Sequence, residues 1–429
     1  MKEYSFRITQ NQLRNLGGQM AAKATNKVLL CTCGSGYAQL SEGLIRESWL
    51  AQDEYTFVNQ EGINQHCFGV GKKYCVFAND LKQLEQIAYS SETCLWGILE
   101  NDLLKMYHYQ EQLLPIDVVI VVGHTLQYSF SNKTPLAEKS QLHERTVQAF
   151  GRGTTEYLSN LTVGVVGVSG TGSIVAEQLY RLGVKRLLLV DDDYVEIRNL
   201  GRILNSTSAD AQERINKAEM LKRAYDRIGL NTEVIAIPTV IAIPETVRQL
   251  SQCDFIFGCL DSADGRMHLN RLCTFYTLPY IDLGVKLKSE YGDITEISGA
   301  VRYMIPGAAS MLSIGAYTTE QVESEALRRD DPVAYHERLN EKYIQGAQEG
   351  SPAVISVNML ISSLAVLELL NRIHQYRDTP NESVEVLTVN LLEPAFPEPA
   401  PPGKEDFRLS KYLGKGDCIP LLDMPGIGV

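Results

Sequence analysis

This sequence predicts an α/β fold, with a doubly wound, mostly parallel sheet, an antiparallel extension and a smaller N-terminal α+β domain. Three observations predict it. From Leu161 to Asp193 the chain reads as a buried strand, a glycine turn, a helix and a second strand ending in acids. Beyond Asp193 helical and strand-like segments alternate, as a parallel sheet with crossover helices requires. After Ile294 the segment ITEISGAVRYMI changes to the period-two pattern of antiparallel strands.

Each element follows in order. Within residues 1–140, VLLC from Val28 opens an apolar run, LKQLEQIA has helical spacing, and DVVIVVGH reads as a buried strand before the polar SNKTPLAEKSQ. Ser140 to Tyr157, with Glu144, Arg145 and Phe150, forms a helical connector into a second domain, 141–395. There a helix is expected from Ala209 to Ile228, then strands EVIAIP and DFIFGCL, a helix through Asn270 and the strand PYIDLGV. Ala316 to Gln348 is acidic and expected to be loop-rich. A helix from Val354 and the strand SVEVLTVNLL close the domain. Residues 396–429 make a Pro-rich extended linker and a tail whose apolar groups are expected to dock on a surface.

Composition narrows the function. With 429 residues, 44% of them apolar, the chain can bury more than one core. A net charge of −12 disfavours nucleic acid, whose affinity comes mainly from neutralised phosphates. Val118 to Val122 is too short to span a bilayer, and the helix from Val354 to Leu370 carries Asn358, Ser362 and Ser363, so no membrane span is expected. The N-terminus MKEYSFRITQNQ lacks an apolar core and a small-residue cleavage site, which places the protein in the cytoplasm. Nine cysteines, several in apolar settings (Cys31, Cys33, Cys75, Cys253, Cys259), suit reduced thiols.

The chemistry concentrates after the first strand of the second domain. Gly167, Gly170 and Gly172 let the backbone turn sharply and approach a phosphate at a helix N-terminus. Asp191 stands at the distance that puts a carboxylate on ribose hydroxyls. Nicotinamide and ATP enzymes share these features. Arg202, which follows Asn199 in the loop past the acidic strand end, adds a cation within reach of phosphates and points to phosphates under attack.

With these residues, 143–393 resembles the adenylyltransferases that activate ubiquitin and the ubiquitin-like sulfur carriers of thiamine and molybdopterin biosynthesis, a Rossmann-like family. The family's glycine turn is GVSGTG, with Ser169 where a further glycine is usual; the substitution is tolerated if Ser169 avoids positive φ. The resemblance implies that Asp191 binds ribose, Asn199 belongs to the phosphate loop and Arg202 is the arginine finger. Lys217, in ERINKAEMLK, falls on the lysine that neutralises the triphosphate. Asp261, in FGCLDSADGR, falls on the aspartate that holds magnesium, and Arg145 on an arginine that reaches the partner's site in homodimeric members. Asp192 and Asp193 read as a turn and a supporting group, and Asp264 and Arg266 as a possible pair on one helix.

Two departures bear on mechanism. Many members hold zinc through two Cys-x-x-Cys pairs, the first following a Pro-Gly turn; here that place reads PGAASMLSIG, so no structural zinc is expected. Members that form a thioester carry a cysteine on or near the crossover loop, and Asp282 to Asp417 contains none. Ser310 and Ser313 are then candidate replaced-thiol positions, and Cys418 a native alternative. The N-terminal domain is similar to JAMM-type isopeptidase domains, but its His-x-His metal motif is absent, which implies a binding or dimerisation module.

The implied activity is ATP- and magnesium-dependent adenylation of the C-terminal carboxylate of a ubiquitin-like protein, followed by transfer to a thiol and a conjugating enzyme, in a homodimer. A sulfur-carrier adenylyltransferase, a catalytically silent nucleotide-binding scaffold and an NAD-dependent oxidoreductase are the alternatives.

Overall fold

The computed structural model of the chain describes residues 5–22, 28–32, 56–58, 73–76, 82, 85, 95–100, 103–131, 141–291, 293–340, 354–393 and 397–414. Residues 1–133 and residues 134–412 form separate compact units.

In the first unit the strands are β1 (Ser5–Thr9), β2 (Val28–Thr32), β3 (Thr56–Val58), β4 (Lys73–Val76), β5 (Leu95–Glu100), β6 (Leu103–Gln110), β7 (Gln112–Pro115), β8 (Val118–Val122) and β9 (Gln127–Phe130), with helix α1 (Gln10–Ala22) after β1. They form a three-stranded sheet, β1-β8-β9, and a six-stranded one, β3-β4-β2-β5-β6-β7. All five residues of β8 are buried, which is why VVIVV is apolar without alternation. The expected helix LKQLEQIA lies outside the described residues apart from Lys82 and Glu85.

The second unit opens with α2 (Glu144–Leu158), kinked where Gly151 takes φ 83°. Then come β10 (Thr162–Val166), α3 (Gly170–Leu182), β11 (Arg186–Val190), α4 (Ser208–Gln212), α5 (Lys217–Ile228), β12 (Glu233–Ile237), α6 (Pro244–Leu250), β13 (Phe255–Gly258), α7 (Ala263–Phe275) and β14 (Tyr280–Glu290). The chain continues through β15 (Asp293–Met304), α8 (Thr319–Asp330), α9 (Pro332–Asn340), α10 (Ile355–Ile373), β16 (Val386–Asn390), β17 (Glu398–Ala400) and α11 (Phe407–Ser410). The eight strands are ordered β12-β11-β10-β13-β14-β15-β16-β17. The first five pair in parallel and the rest antiparallel, the doubly wound sheet with its extension.

Register sets the site. Val166 pairs with both Val190 and Gly258, Val190 pairs with Ile237, and Gly258 pairs with Asp282. The parallel strands therefore end in one row, and the chain leaves β10 toward one side of the sheet and returns on the other. Ligands of open α/β sheets bind at such a reversal, outside the carboxyl ends of the strands.

Helix α10 is fixed at both ends. In its first half Ser362 Oγ donates to the Thr171 carbonyl at 3.0 Å. Near its end Arg372, fully buried, donates to Glu368 at 2.7 Å and to the Asn381 carbonyl at 3.1 Å, and lies 4.1 Å above the Tyr303 ring. By length and composition α10 could cross a membrane, yet 61% of its apolar window is buried inside this unit, with a buried Arg–Glu pair. It is the unit's core helix.

Three expectations change. The helix expected over 209–228 is two, α4 and α5, because Asn216 stops the chain and caps α5 by accepting from the Ala218 and Glu219 N–H groups. The stretch expected to be loop-rich contains α8 and α9; a capping box between Thr318 and Gln321 starts α8, and its polar composition is that of a solvated helix rather than a loop. The Pro-rich stretch is no free linker, since β17 pairs with β16 and the Gly403 N–H donates to Glu385 at 2.6 Å.

Candidate active site

The glycine turn joins β10 to α3. The Gly167 N–H donates to the Val190 carbonyl at 2.8 Å, and Gly167 has φ +82°, in the left-handed region. A Cβ there would stand 2.7 Å from the Cys259 carbonyl oxygen. Ser169, the departure from the family's glycine, has φ −84° and serves as the N-cap of α3, so it needs no glycine. The free N–H groups of the first turn make this helix start an anion site.

Asp191 follows β11 and is 8% exposed. Its carboxylate accepts from the Val168 N–H at 2.7 Å and from the Asp193 N–H at 3.0 Å. Burial pushes this carboxyl up to about 6, against the opposing pull of Lys217 and the two N–H groups. Lys217, the first residue of α5, holds Nζ 2.6 Å from Asp193 Oδ2 and 3.8 Å from Asp191 Oδ1, with its side chain 6% exposed. Asn216 fastens the same loop, donating from Nδ2 to the Asp191 carbonyl at 2.8 Å and the Asp193 carbonyl at 3.1 Å. The break between α4 and α5 thus delivers the lysine to the strand end. Asp193 is its counter-ion.

A pH dependence follows. Folded Asp191 keeps its proton up to about pH 6, whereas the unfolded group titrates near 3.8. Its contribution to stability is therefore full below 3.8 and is lost as pH rises through about 6. Ribose hydroxyls bind an ionised acceptor best, so the affinity for adenosine, which has no phosphate to titrate, is expected to fall as pH drops below about 6, and Asp191→Asn to flatten the profile. Calorimetric titrations from pH 5 to 8 check this; a wild-type profile flat across that range would refute it.

Asn199 is 5% exposed, and its Oδ1 accepts from the Glu196 N–H at 3.0 Å. Its carbonyl accepts from the Arg202 and Ile203 N–H groups, each at 3.0 Å. Asn199 shapes the loop that presents Arg202. The Arg202 guanidinium makes no hydrogen bond or ion pair among the described residues. Its Cδ lies 3.5 Å from the point a Gly170 Cβ would occupy, so the arginine stem runs beside the glycine turn. Asp261 is exposed, just past β13.

Asp264 and Arg266 do not pair with each other. Asp264 pairs with Arg329 of α8, and Arg266 with Asp282 at 3.0 Å. Asp282, fully enclosed at the end of the strand row, also binds Arg302 of β15 at 3.0 Å. Two guanidiniums share this carboxylate beside Gly284, where a Cβ would stand 3.1 Å from Arg302 Nη1, and Asp261 and Glu325 also lie close enough to act on Arg266. This triad joins three distant elements and has no local sequence signal.

The remaining candidates stand apart. Arg145 is exposed on α2 and bonded to Gln148 of its own helix. Ser310 is 2% exposed and donates to Asp406 at 2.6 Å, while Ser313 Oγ donates to the Ser310 and Lys404 carbonyls. The pair is a hydrogen-bonded turn that ties down the chain around residue 406, and a thiol at 310 would be enclosed. Ser310→Ala removes a donor from a buried carboxylate and is expected to cost about 1–3 kcal/mol in thermal denaturation, with AMP binding unchanged. Cys418 lies outside the described residues. Of the described thiols, Cys253 and Cys273 are buried, and burial pushes the Cys259 thiol far up, out of the thiolate range. Among the described residues no three His, Cys, Asp or Glu side chains gather as a metal cage.

The glycine turn, the buried Asp191, Lys217 and the loop that carries Arg202 stand at the reversal of a doubly wound sheet. Residues 143–407 match the ThiF family, and the chain belongs to it. It is 27% identical over 193 residues to ubiquitin-like modifier-activating enzyme 5 of Drosophila willistoni, covering 42% of this chain and 45% of that protein. It is 35% identical over 144 residues to the tRNA threonylcarbamoyladenosine dehydratase of Bacillus subtilis, covering 33% of this chain and 56% of that one. The chain thus spans about half the length of the curated relatives it matches. Among solved structures, E. coli MccB with ATP is similar at 16% identity and TM-score 0.46, over 64% of this chain and 75% of that one.

Proposed function

We propose that this chain activates the C-terminal carboxylate of a ubiquitin-like protein as an acyl-adenylate. The observation that carries the reading is the Arg202 guanidinium, without a partner among the described residues, on a stem that runs beside the glycine turn. A carboxylate oxygen forms a bond to the α-phosphorus of ATP while the bond to the bridging oxygen breaks and pyrophosphate leaves. Charge builds on phosphate oxygens, and preorganised cations stabilise it. No general base is needed, because a terminal carboxylate is ionised at neutral pH.

Asp191 orients the ribose, Lys217 and Arg202 meet the phosphates, and Asp261 would hold magnesium. The exposed single carboxylate of Asp261 fits that ion, which keeps waters and substrate phosphates as its other ligands. Bound there, magnesium would neutralise charge on the leaving pyrophosphate. Arg145, exposed on α2, is available to the site of a second copy in a homodimer. The net charge of −12 favours a protein substrate over tRNA. Onward transfer to a thiol and a conjugating enzyme needs a cysteine other than Cys253, Cys259 and Cys273, on this chain or on the conjugating enzyme.

Intact mass spectrometry of a ubiquitin-like protein incubated with the full chain and magnesium ATP tests the proposal. An AMP-sized gain that Arg202→Ala abolishes supports it. Bound ATP with no gain on any ubiquitin-like protein would favour the scaffold.

A further inference from the structure

We propose that Asn358 is a further substrate-contacting residue of this site, its side-chain amide donating to a phosphate oxygen of the nucleotide above Gly170. The inference rests on the reading of the site as adenylating and adds to it a residue from the far end of the unit.

Asn358 lies near the start of α10, 2% exposed, and its Nδ2 has no hydrogen-bond partner among the described residues. Buried donors are almost always paired, and one left without an acceptor is a standing cost to the fold. The position of this one is specific. Nδ2 stands 2.4 Å from the point a Gly170 Cβ would occupy, and Arg202 Cδ stands 3.5 Å from the same point. Gly170 has an ordinary φ, so its backbone does not require glycine; the Asn358 amide does. The stem of Arg202 and an unpaired amide therefore meet at the first residue of α3, where the helix N-terminus favours an anion. An amide N–H can be satisfied only by an acceptor oxygen, and a phosphate offers several.

The backbone that carries the amide is held, so a rotation of the side chain alone brings the buried donor to a phosphate. Helix α10 is tied to α3 by Ser362 on the Thr171 carbonyl, four residues on, and a Cβ at Gly299 would meet Ile361 at 2.4 Å, so the helix lies close on β15. Its far end is held by Arg372. A substrate carboxylate could also accept from it, so nucleotides with and without phosphate separate the two sources.

The test is calorimetric titration of the full chain with adenosine, AMP and magnesium ATP. For Asn358→Ala, AMP and ATP affinities are expected to fall about tenfold while adenosine affinity stays within about twofold. The ligand-free thermal midpoint should not fall, since no hydrogen bond is lost. Asn358→Asp keeps the shape and replaces the donor with an anion, so AMP affinity should fall further than in the alanine variant. Unchanged AMP affinity in Asn358→Ala, or an equal loss for adenosine, overturns the proposal alone. A wild-type chain that binds none of the three overturns the reading of the site together with it.

Discussion

Lys217→Ala is expected to lower ATP–pyrophosphate exchange about 10²–10³-fold, the usual cost of removing one preorganised group that meets developing charge. The lysine is enclosed, with Nζ 2.6 Å from Asp193 and 3.8 Å from Asp191, so its charge acts in a poorly screened setting. Stability should suffer less. Breaking a buried ion pair costs about 3–5 kcal/mol when the remaining charge is trapped. Here Asp193 is 70% exposed, and Asp191, already pushed up to about 6, can take a proton. A loss of about 1–2 kcal/mol in thermal denaturation is therefore expected. Lys217→Arg should not restore activity, because a planar fork does not fit a slot shaped for an ammonium. Exchange at the wild-type rate in a folded Lys217→Ala protein would remove the lysine from the chemistry.

Gly172→Ala is expected to destroy the glycine turn. The added methyl would stand 1.8 Å from the Gly167 carbonyl oxygen and 2.9 Å from its carbon, both backbone atoms. Gly167 cannot retreat, being held by Val190 on one side and packed against the Cys259 carbonyl on the other. The start of α3 must shift instead, which should cost about 3 kcal/mol or more, the upper end for overpacking. AMP affinity should be lost with it. Gly201→Ala is the control: a Cβ there meets nothing within 4 Å, and a change within about 0.5 kcal/mol is expected. Thermal denaturation and AMP titration of both variants decide the matter.

Much of this site is local in the chain, which is why it was legible. The strand, turn and helix around Gly167 are a contiguous pattern, and Asp191 sits a fixed distance beyond because one helix and one strand must intervene. Arg202 and Lys217 were legible as types at sensible spacings, but not their settings. That Lys217 is enclosed depends on Asn216 interrupting a helix that periodicity alone would have continued. The Asp282, Arg266 and Arg302 cluster joins β14, α7 and β15, and only strand register brings them together. Asn358 was equally hidden. In sequence it is a polar residue that spoils an apolar helix, and its meaning comes from a glycine on another helix. The helices at 319–340 escaped because a solvated helix and an acidic loop share a composition.

The pairing of Lys217 with an exposed aspartate has one more consequence. On the proposed function the phosphate site carries its own detachable anion, so ligand entry would be an ion exchange and not the capture of a bare cation. A small monoanion such as chloride gives the lysine no more than it displaces, and the pair stays closed to it. A polyphosphate both replaces Asp193 and supplies charge to Arg202, so it alone is repaid for the exchange. Such a site would sort ligands by valence before it sorts them by shape.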